Sequence, residues 1–182
     1  MSNTLRDRPS RRTGAGMIAG MSYPDPVYFG AGGEVSAHLR PSDTAHDLVY
    51  PNGTTVDYLS TGSSTDGRFG LYRWNMGAGP GGPDLHFHRT ISESFFVLSG
   101  TVTLGDGAKT VEARSGDYLH VPPGGLHSFK NKSGEPASML LLFTPGAPRE
   151  GYFEGLLELM EGKEMTGEEL DAFFREHDNL YV

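Results

Sequence analysis

The sequence predicts an all-β fold, an antiparallel sandwich or barrel, followed by two helices. Three observations point there. Short apolar or alternating runs recur at regular spacing between residues 55 and 144. The 26 glycines and 12 prolines are spread between those runs instead of being confined to tracts, and the apolar period becomes helical after Pro148. Strands alternate their faces with a period of two and need turn formers between them, whereas βαβ units would place helical runs between the strands.

Taken in order, residues 1–22 read as a polar, glycine-rich, disordered arm with a basic cluster at Arg6, Arg8, Arg11 and Arg12. The twin arginine invites an export-signal reading. The chain beyond it, however, offers only Met17, Ile18 and Met21 before Pro24, too short and too weakly apolar, and a mobile basic arm is the expectation. Residues 23–53 hold one short apolar run, Val27–Phe29, in chain punctuated by proline and glycine, and carry no firm assignment. Strands are predicted at Thr55–Leu59, Arg68–Met76, Asp84–His88, Glu93–Ser99, Thr101–Leu104, Thr110–Ala113, Asp117–Val121, Leu126–Lys130 and Ala137–Thr144. Turn chemistry separates them, as in Gly105-Asp106-Gly107, Pro122-Pro123-Gly124-Gly125 and Ser133-Gly134.

Beyond Pro148, Tyr152, Phe153, Leu156, Leu157, Leu159 and Met160 recur at helical spacing, with Glu154, Glu158 and Glu161 on the other side. A second helix starts at Thr166, which has Glu169 at capping-box spacing and Leu170, Phe173 and Phe174 as its apolar face. These two helices are expected to cover the barrel or a subunit contact. The expected organisation is therefore an arm over 1–22, a β-barrel with an N-terminal extension over 23–148, and a helical segment over 149–182.

Composition narrows the function. The 182 residues suffice for one domain with a proper core. With no cysteine, disulfides, Cys-type zinc sites, iron–sulfur clusters and thiol nucleophiles are excluded, and any metal must use nitrogen and oxygen ligands. A formal net charge of -8 argues against nucleic acid or an anionic membrane as partner. No stretch approaches transmembrane length, so a soluble, cytoplasmic protein is expected.

Chemistry gathers in two segments. In Leu85-His86-Phe87-His88 the two histidines share one face of a strand, about 6.5–7 Å apart along the chain, and can lean onto one ion about 2.0–2.1 Å from each nitrogen. Glu93 lies at an odd separation from His88, so the intervening residues must turn the chain before it can face the same interior from the next strand. A carboxylate in the otherwise apolar run Glu93–Leu98 needs a partner, either a metal or an arginine such as Arg73. The second segment runs from Gly116 to Asn131 and contains the Pro122–Gly125 turn and His127.

Together the two segments resemble the motifs of the cupin superfamily, G(X)5HXH(X)3–4E(X)6G and G(X)5PXG(X)2H(X)3N. The first is matched by His86, His88, Glu93 and Gly100. Its leading glycine is displaced by one, since Pro80 takes that place between Gly79 and Gly81. The second is matched by Gly116, Pro122, Gly124, His127 and Asn131. The resemblance implies a double-stranded β-helix, or jelly-roll barrel, in a monocupin similar to bacterial quercetinase-type proteins. It also implies metal ligands at His86, His88, Glu93 and His127, and a homodimer.

Three histidines and one carboxylate suit Fe, Ni, Co, Mn or Zn, a single divalent transition metal that ligand type alone does not choose. Phe95, Val97 and Phe129 share the ligands' parity and are expected to line an apolar substrate pocket, closed by Trp74 or its neighbours Tyr72 and Arg73. Plain barrel core is the competing assignment for each. His120 is expected to be structural or pocket-lining, and His38, His46 and His177 to be surface residues.

The leading expectation is a dioxygenase using O2 on a flavonol-like or other enolic or phenolic aromatic small molecule, with Glu93 both ligand and catalytic base. The alternatives are a redox-silent cyclase or isomerase of polyketide-like substrates at the same site, and a non-catalytic small-molecule-binding cupin.

Overall fold

The computed structural model describes residues 23–182. The arm assigned to residues 1–22, with Arg6, Arg8, Arg11 and Arg12, lies outside the described residues. The chain divides into two units at Leu39. In the first, residues 23–39 form neither helix nor strand, and the Tyr28 hydroxyl donates to the Gly32 carbonyl at 2.6 Å.

The second unit, Arg40–Val182, is an antiparallel jelly roll with two helices after it. Its strands are β1 (Leu48–Val49), β2 (Thr55–Ser60), β3 (Gly70–Met76), β4 (His86–Phe87), β5 (Ser92–Ser99), β6 (Thr101–Gly105), β7 (Thr110–Arg114), β8 (Tyr118–Val121), β9 (Ser128–Lys130) and β10 (Ala137–Thr144). The helices α1 (Glu150–Met160) and α2 (Gly167–Glu176) follow, and then a short strand β11 (Leu180–Tyr181). The larger sheet runs β1-β2-β3-β10-β5-β8, a three-stranded sheet runs β7-β6-β9, and β11 pairs with β4.

Alternation builds the core. Along β3 the buried positions are Gly70, Tyr72, Trp74 and Met76, and along β10 they are Ala137, Met139, Leu141 and Phe143. The register sets Met139 opposite Trp74 on one side and Val97 on the other, so the inward faces of β3, β10 and β5 form one apolar layer. Val102, Leu104, Ala113 and Phe129 close it from the smaller sheet.

The predicted strands all form, most with ends moved by one or two residues; the largest change is at Asp84–His88, which contracts to His86–Phe87. The two-residue β1 and β11 carry no periodic signal and escape a reading of the sequence. Gly100 makes the turn between β5 and β6 at φ 73°, where an added Cβ would lie 2.5 Å from the Pro136 carbonyl oxygen. In α2 the Thr166 side chain accepts from the Glu169 amide and the Glu169 side chain answers at the Thr166 amide, a complete capping box.

Candidate metal centre and adjoining cavity

Three connections bring the two motif segments together. His86 and His127 exchange main-chain hydrogen bonds of 3.0 and 2.9 Å, which draws the second segment against β4. Gly124, at φ 82° in the proline–glycine turn, donates its amide to the His88 carbonyl at 2.6 Å. Asn131 is fully buried; its main-chain amide donates to the Gly81 carbonyl, and its side chain donates to the carbonyls of Gly77 and Glu135. The glycine that the approach to β4 requires is Gly82, at φ 115°, where a Cβ would collide with the Phe129 carbonyl.

His86, His88, Glu93 and His127 thereby meet in the interior, all buried, with one ligand-type atom from each lying within 4.8 Å of the others. Glu93 enters from β5 after the chain turns through Arg89–Ile91, and its Oε2 lies 3.0 Å from His88 Nε2 and 2.9 Å from His127 Nε2. Among the described residues no arginine pairs with it. Arg73 bonds instead to Asp57 at 2.7 Å, with the outward residues of its strand.

The hydrogen-bond partners fix what this cluster can hold. Nδ1 of His86 faces the Asp84 carbonyl at 2.8 Å, Nδ1 of His88 the Asp178 carbonyl at 2.6 Å, and Nδ1 of His127 the Gly125 carbonyl at 2.9 Å. Carbonyl oxygens only accept, so each Nδ1 carries the hydrogen and each neutral ring has its lone pair at Nε2. Three such rings and one carboxylate form a set of acceptors, and a set of acceptors needs a cation. A proton can satisfy one pair; one metal ion can satisfy all four groups.

Without an ion, the same Nε2 contacts to Glu93 must be made through protons, and the electrostatics follow that state. Burial alone would raise the Glu93 pKa, but hydrogen bonds and charge from His127 and His88 outweigh it and hold the carboxyl far below the usual range. Burial, with His127 beside it, pushes His86 down to about 4. For His127 burial opposes charge, yet the Glu93 hydrogen bond and charge keep its pKa above the ordinary value.

A cavity of about 480 Å³ opens beside the cluster and is lined by His86 and Glu93 together with Trp74, Phe129, Phe143, Phe153, Leu156 and Met160. Trp74 and Phe129 reach this wall. Phe95 and Val97 do not: both are wholly buried in the core and absent from the cavity wall, with Phe95 packed on His127 and Phe129. The missing wall is α1, whose Tyr152, Phe153, Leu156, Leu159 and Met160 line the cavity, a larger part than covering the barrel or a subunit contact. Tyr72 is core, with its hydroxyl donating to Glu150.

Of the other histidines, His38 and His46 are exposed as expected, and only His177 departs from a surface position. His120 points away from the cavity and pairs with Ser94 at 3.0 Å on the outer side of the sheet. His46 is partly exposed but not free, since its Nδ1 lies 2.6 Å from buried Asp57. His177 ends α2 half-buried against Phe173 and Tyr152.

Sequence reasoning missed the support supplied after α2. Asp178 gives its carbonyl to His88, while its carboxylate accepts the amides of Arg89 and Thr90 and the Thr90 hydroxyl. Tyr181 pairs with His86 in the β4–β11 ladder, its ring 5.5 Å from the imidazole. Arg149 was missed as well. Buried at 4% exposure, it lines the cavity and donates from Nη1 to the His177 carbonyl at 2.6 Å and from Nη2 to Asn179 at 2.8 Å. Nothing in a lone Pro-Arg-Glu sequence marks such a residue.

An antiparallel jelly roll with a buried three-histidine, one-carboxylate cluster beside an aromatic cavity defines a class, the small β-barrel proteins built around a polar centre. Comparison with known families makes it specific. Residues 72–143 match the cupin domain model, and the chain carries a cupin domain with a quercetinase-like relationship. It is 31% identical over 101 residues to quercetin 2,3-dioxygenase of Bacillus subtilis, a match covering 54% of this chain and 28% of that protein. It is 36% identical over 62 residues to (S)-ureidoglycine aminohydrolase of Escherichia coli, covering 34% and 24%. The chain thus matches only about a quarter of the length of these curated relatives. The structure of KdgF from Halomonas sp. superposes with a TM-score of 0.50 at 15% identity, over 58% of this chain and 90% of that one, a likeness of fold alone.

Proposed function

We propose that this protein is a metal-dependent cupin enzyme, a dioxygenase that acts on a flavonol-like or other enolic aromatic small molecule. The observation that carries this reading is the convergence of Glu93 and three Nε2-presenting histidines at the wall of an aromatic cavity. The relationship to quercetin 2,3-dioxygenase supplies the substrate class and the oxygen.

His86, His88, Glu93 and His127 would hold one divalent transition ion, which when bound supplies Lewis-acid polarisation and, if redox-active, dioxygen chemistry. The chain's own contribution is threefold. Trp74, Phe129, Phe143 and Phe153 give a planar ring an apolar, aromatic wall to pack against. The three main-chain carbonyls hold the imidazoles in one tautomer. Glu93 is ionised across the neutral range, and its Oε1, which neither histidine contacts, accepts the substrate's hydroxyl proton.

A redox-silent reading of the same site, proton transfer without oxygen, is supported by the aminohydrolase relative. Oxygen-electrode assays of protein loaded separately with Fe, Ni, Co, Mn and Zn test the choice, with quercetin and 3-hydroxyflavone as substrates. The dioxygenase reading expects oxygen uptake matched to flavonol loss with at least one metal. Turnover under strict anaerobiosis would transfer the assignment to the redox-silent reading, and no turnover in either atmosphere would remove both.

A further inference from the structure

Arg149 is a buried cation with no counter-ion among the described residues. Of the two acids in the cavity wall, Glu93 has Oε2 engaged by His88 and His127 and Asp84 pairs with Lys130, and no carboxylate among the described residues forms an ion pair with Arg149. The guanidinium lies 4.4 Å from the Tyr152 ring centre, 5.0 Å from Phe143 and 5.7 Å from Phe153. Aromatic faces and two neutral acceptors soften the burial of a charge but do not neutralise it, and the Nε–H has no acceptor among the described residues. A charge buried with neither counter-ion nor full hydrogen bonding would be stabilised by an anion entering the cavity.

The guanidinium is also held still. Asn179, which accepts from Nη2, is itself 1% exposed and donates to the Tyr152 hydroxyl, while the His177 carbonyl fixes Nη1. A forked donor fixed at the wall of a cavity suits an oxyanion better than a mobile ammonium would. A divalent ion on Glu93 and three neutral histidines would add a further net positive charge on the same wall, so the whole cavity then favours negative ligands.

We infer that Arg149 is the anion-recognition residue of this cavity, and that the physiological ligand is a planar aromatic molecule bearing an ionised oxygen, a carboxylate, phenolate or enolate. The inference rests on the proposal that the cavity takes the substrate, and it adds the charge that substrate carries.

The test compares 2-naphthoate with its neutral isostere 2-naphthamide at neutral pH. Trp74 is the only tryptophan and lines the cavity, so its fluorescence reports binding, with calorimetry as a second readout. Zinc-loaded and chelator-treated proteins are both titrated, so that recognition by Arg149 is separated from recognition by a metal. The wild-type protein is expected to prefer naphthoate by about tenfold or more in both forms. Arg149→Met is expected to bring the two ligands within about twofold while naphthamide affinity stays unchanged.

Equal binding of the two ligands by chelator-treated wild-type protein overturns the inference, as does an undiminished preference in Arg149→Met. Should that variant not fold by circular dichroism, Arg149→Lys decides, because loss of the fork should cut the preference about threefold or more and an unchanged preference overturns the assignment. Absence of oxygen uptake alongside an intact naphthoate preference would remove the dioxygenase reading and leave this one standing.

Discussion

The Nδ1–H of His88 donates to the main-chain carbonyl of Asp178, 2.6 Å away in space and ninety residues further along the chain. That single bond fixes which nitrogen His88 turns towards Glu93 and makes the stretch after α2 part of the cluster's support. The Asp178 carboxylate reinforces it by holding the amides of Arg89 and Thr90, the residues that turn the chain from His88 towards Glu93.

Removing that carboxylate should loosen the cluster without emptying it. Asp178→Ala is expected to weaken Ni(II) or Zn(II) affinity about tenfold, in the range usual for groups that orient metal-binding histidines. Asp178→Asn, which keeps one acceptor oxygen and tolerates the residue's φ of 54°, should lose less. Competition against a chromophoric chelator measures both, and wild-type affinity in Asp178→Ala would show that the clamp does not act on the ligands.

Metal should stabilise the fold through the same four residues. At a free concentration about a hundredfold above Kd, binding is worth about 2.7 kcal/mol, or about 5–10 °C in Tm for a chain of this size. Differential scanning fluorimetry with and without chelator should show that shift in the wild type and none in His127→Ala. An equal shift in His127→Ala would place the ion elsewhere.

The wall formed by α1 can be tested separately from the metal. Leu156 lines the cavity, and Leu156→Trp is expected to fill it, weakening 3-hydroxyflavone binding about tenfold or more while leaving metal affinity within about twofold. Fluorescence titration and chelator competition together decide. Unchanged flavonol binding would mean that the ligand enters by another route.

Away from the cavity, Asp57 predicts an acid-dependent stability. Burial alone would raise its pKa, but hydrogen bonds from His46 and Arg73 hold it below its ordinary value of 3.8. A depressed folded pKa stabilises the native state fully above 3.8, and the contribution is lost as pH falls below that value towards the folded one. Asp57→Asn should cost about 1–2 kcal/mol at pH 7, because it removes the charged partner of the partly exposed Arg73, and should lose less stability than the wild type on further acidification. Urea unfolding across pH 7 to 3 measures this, and parallel curves for the two proteins would contradict it.

Local signals decide how much is legible in the sequence. Alternation in Gly70–Met76 and Ala137–Thr144 prescribes buried faces outright, and the motif spacing singles out the four residues of the cluster because strand parity and one turn are enough to aim them. Phe95 and Val97 lie in solid core and not at the cavity for the opposite reason. Parity says which side of the sheet a residue occupies, but the depth along the barrel axis decides whether that side is solid core or cavity. Arg149, Asp178 and Tyr181 were invisible because their roles come from contacts across long stretches of chain, and a two-residue strand such as Leu180–Tyr181 has no period to read.

One cation shared by His86, His88, Glu93 and His127 is the claim on which the proposed chemistry depends most. Crystals of cobalt-loaded protein, measured on both sides of the cobalt absorption edge, test it directly. A single anomalous peak should lie about 2.0–2.2 Å from the three Nε2 atoms and a Glu93 oxygen. Anomalous density only at surface histidines, with the Glu93 cluster closed on its own protons, would contradict the assignment.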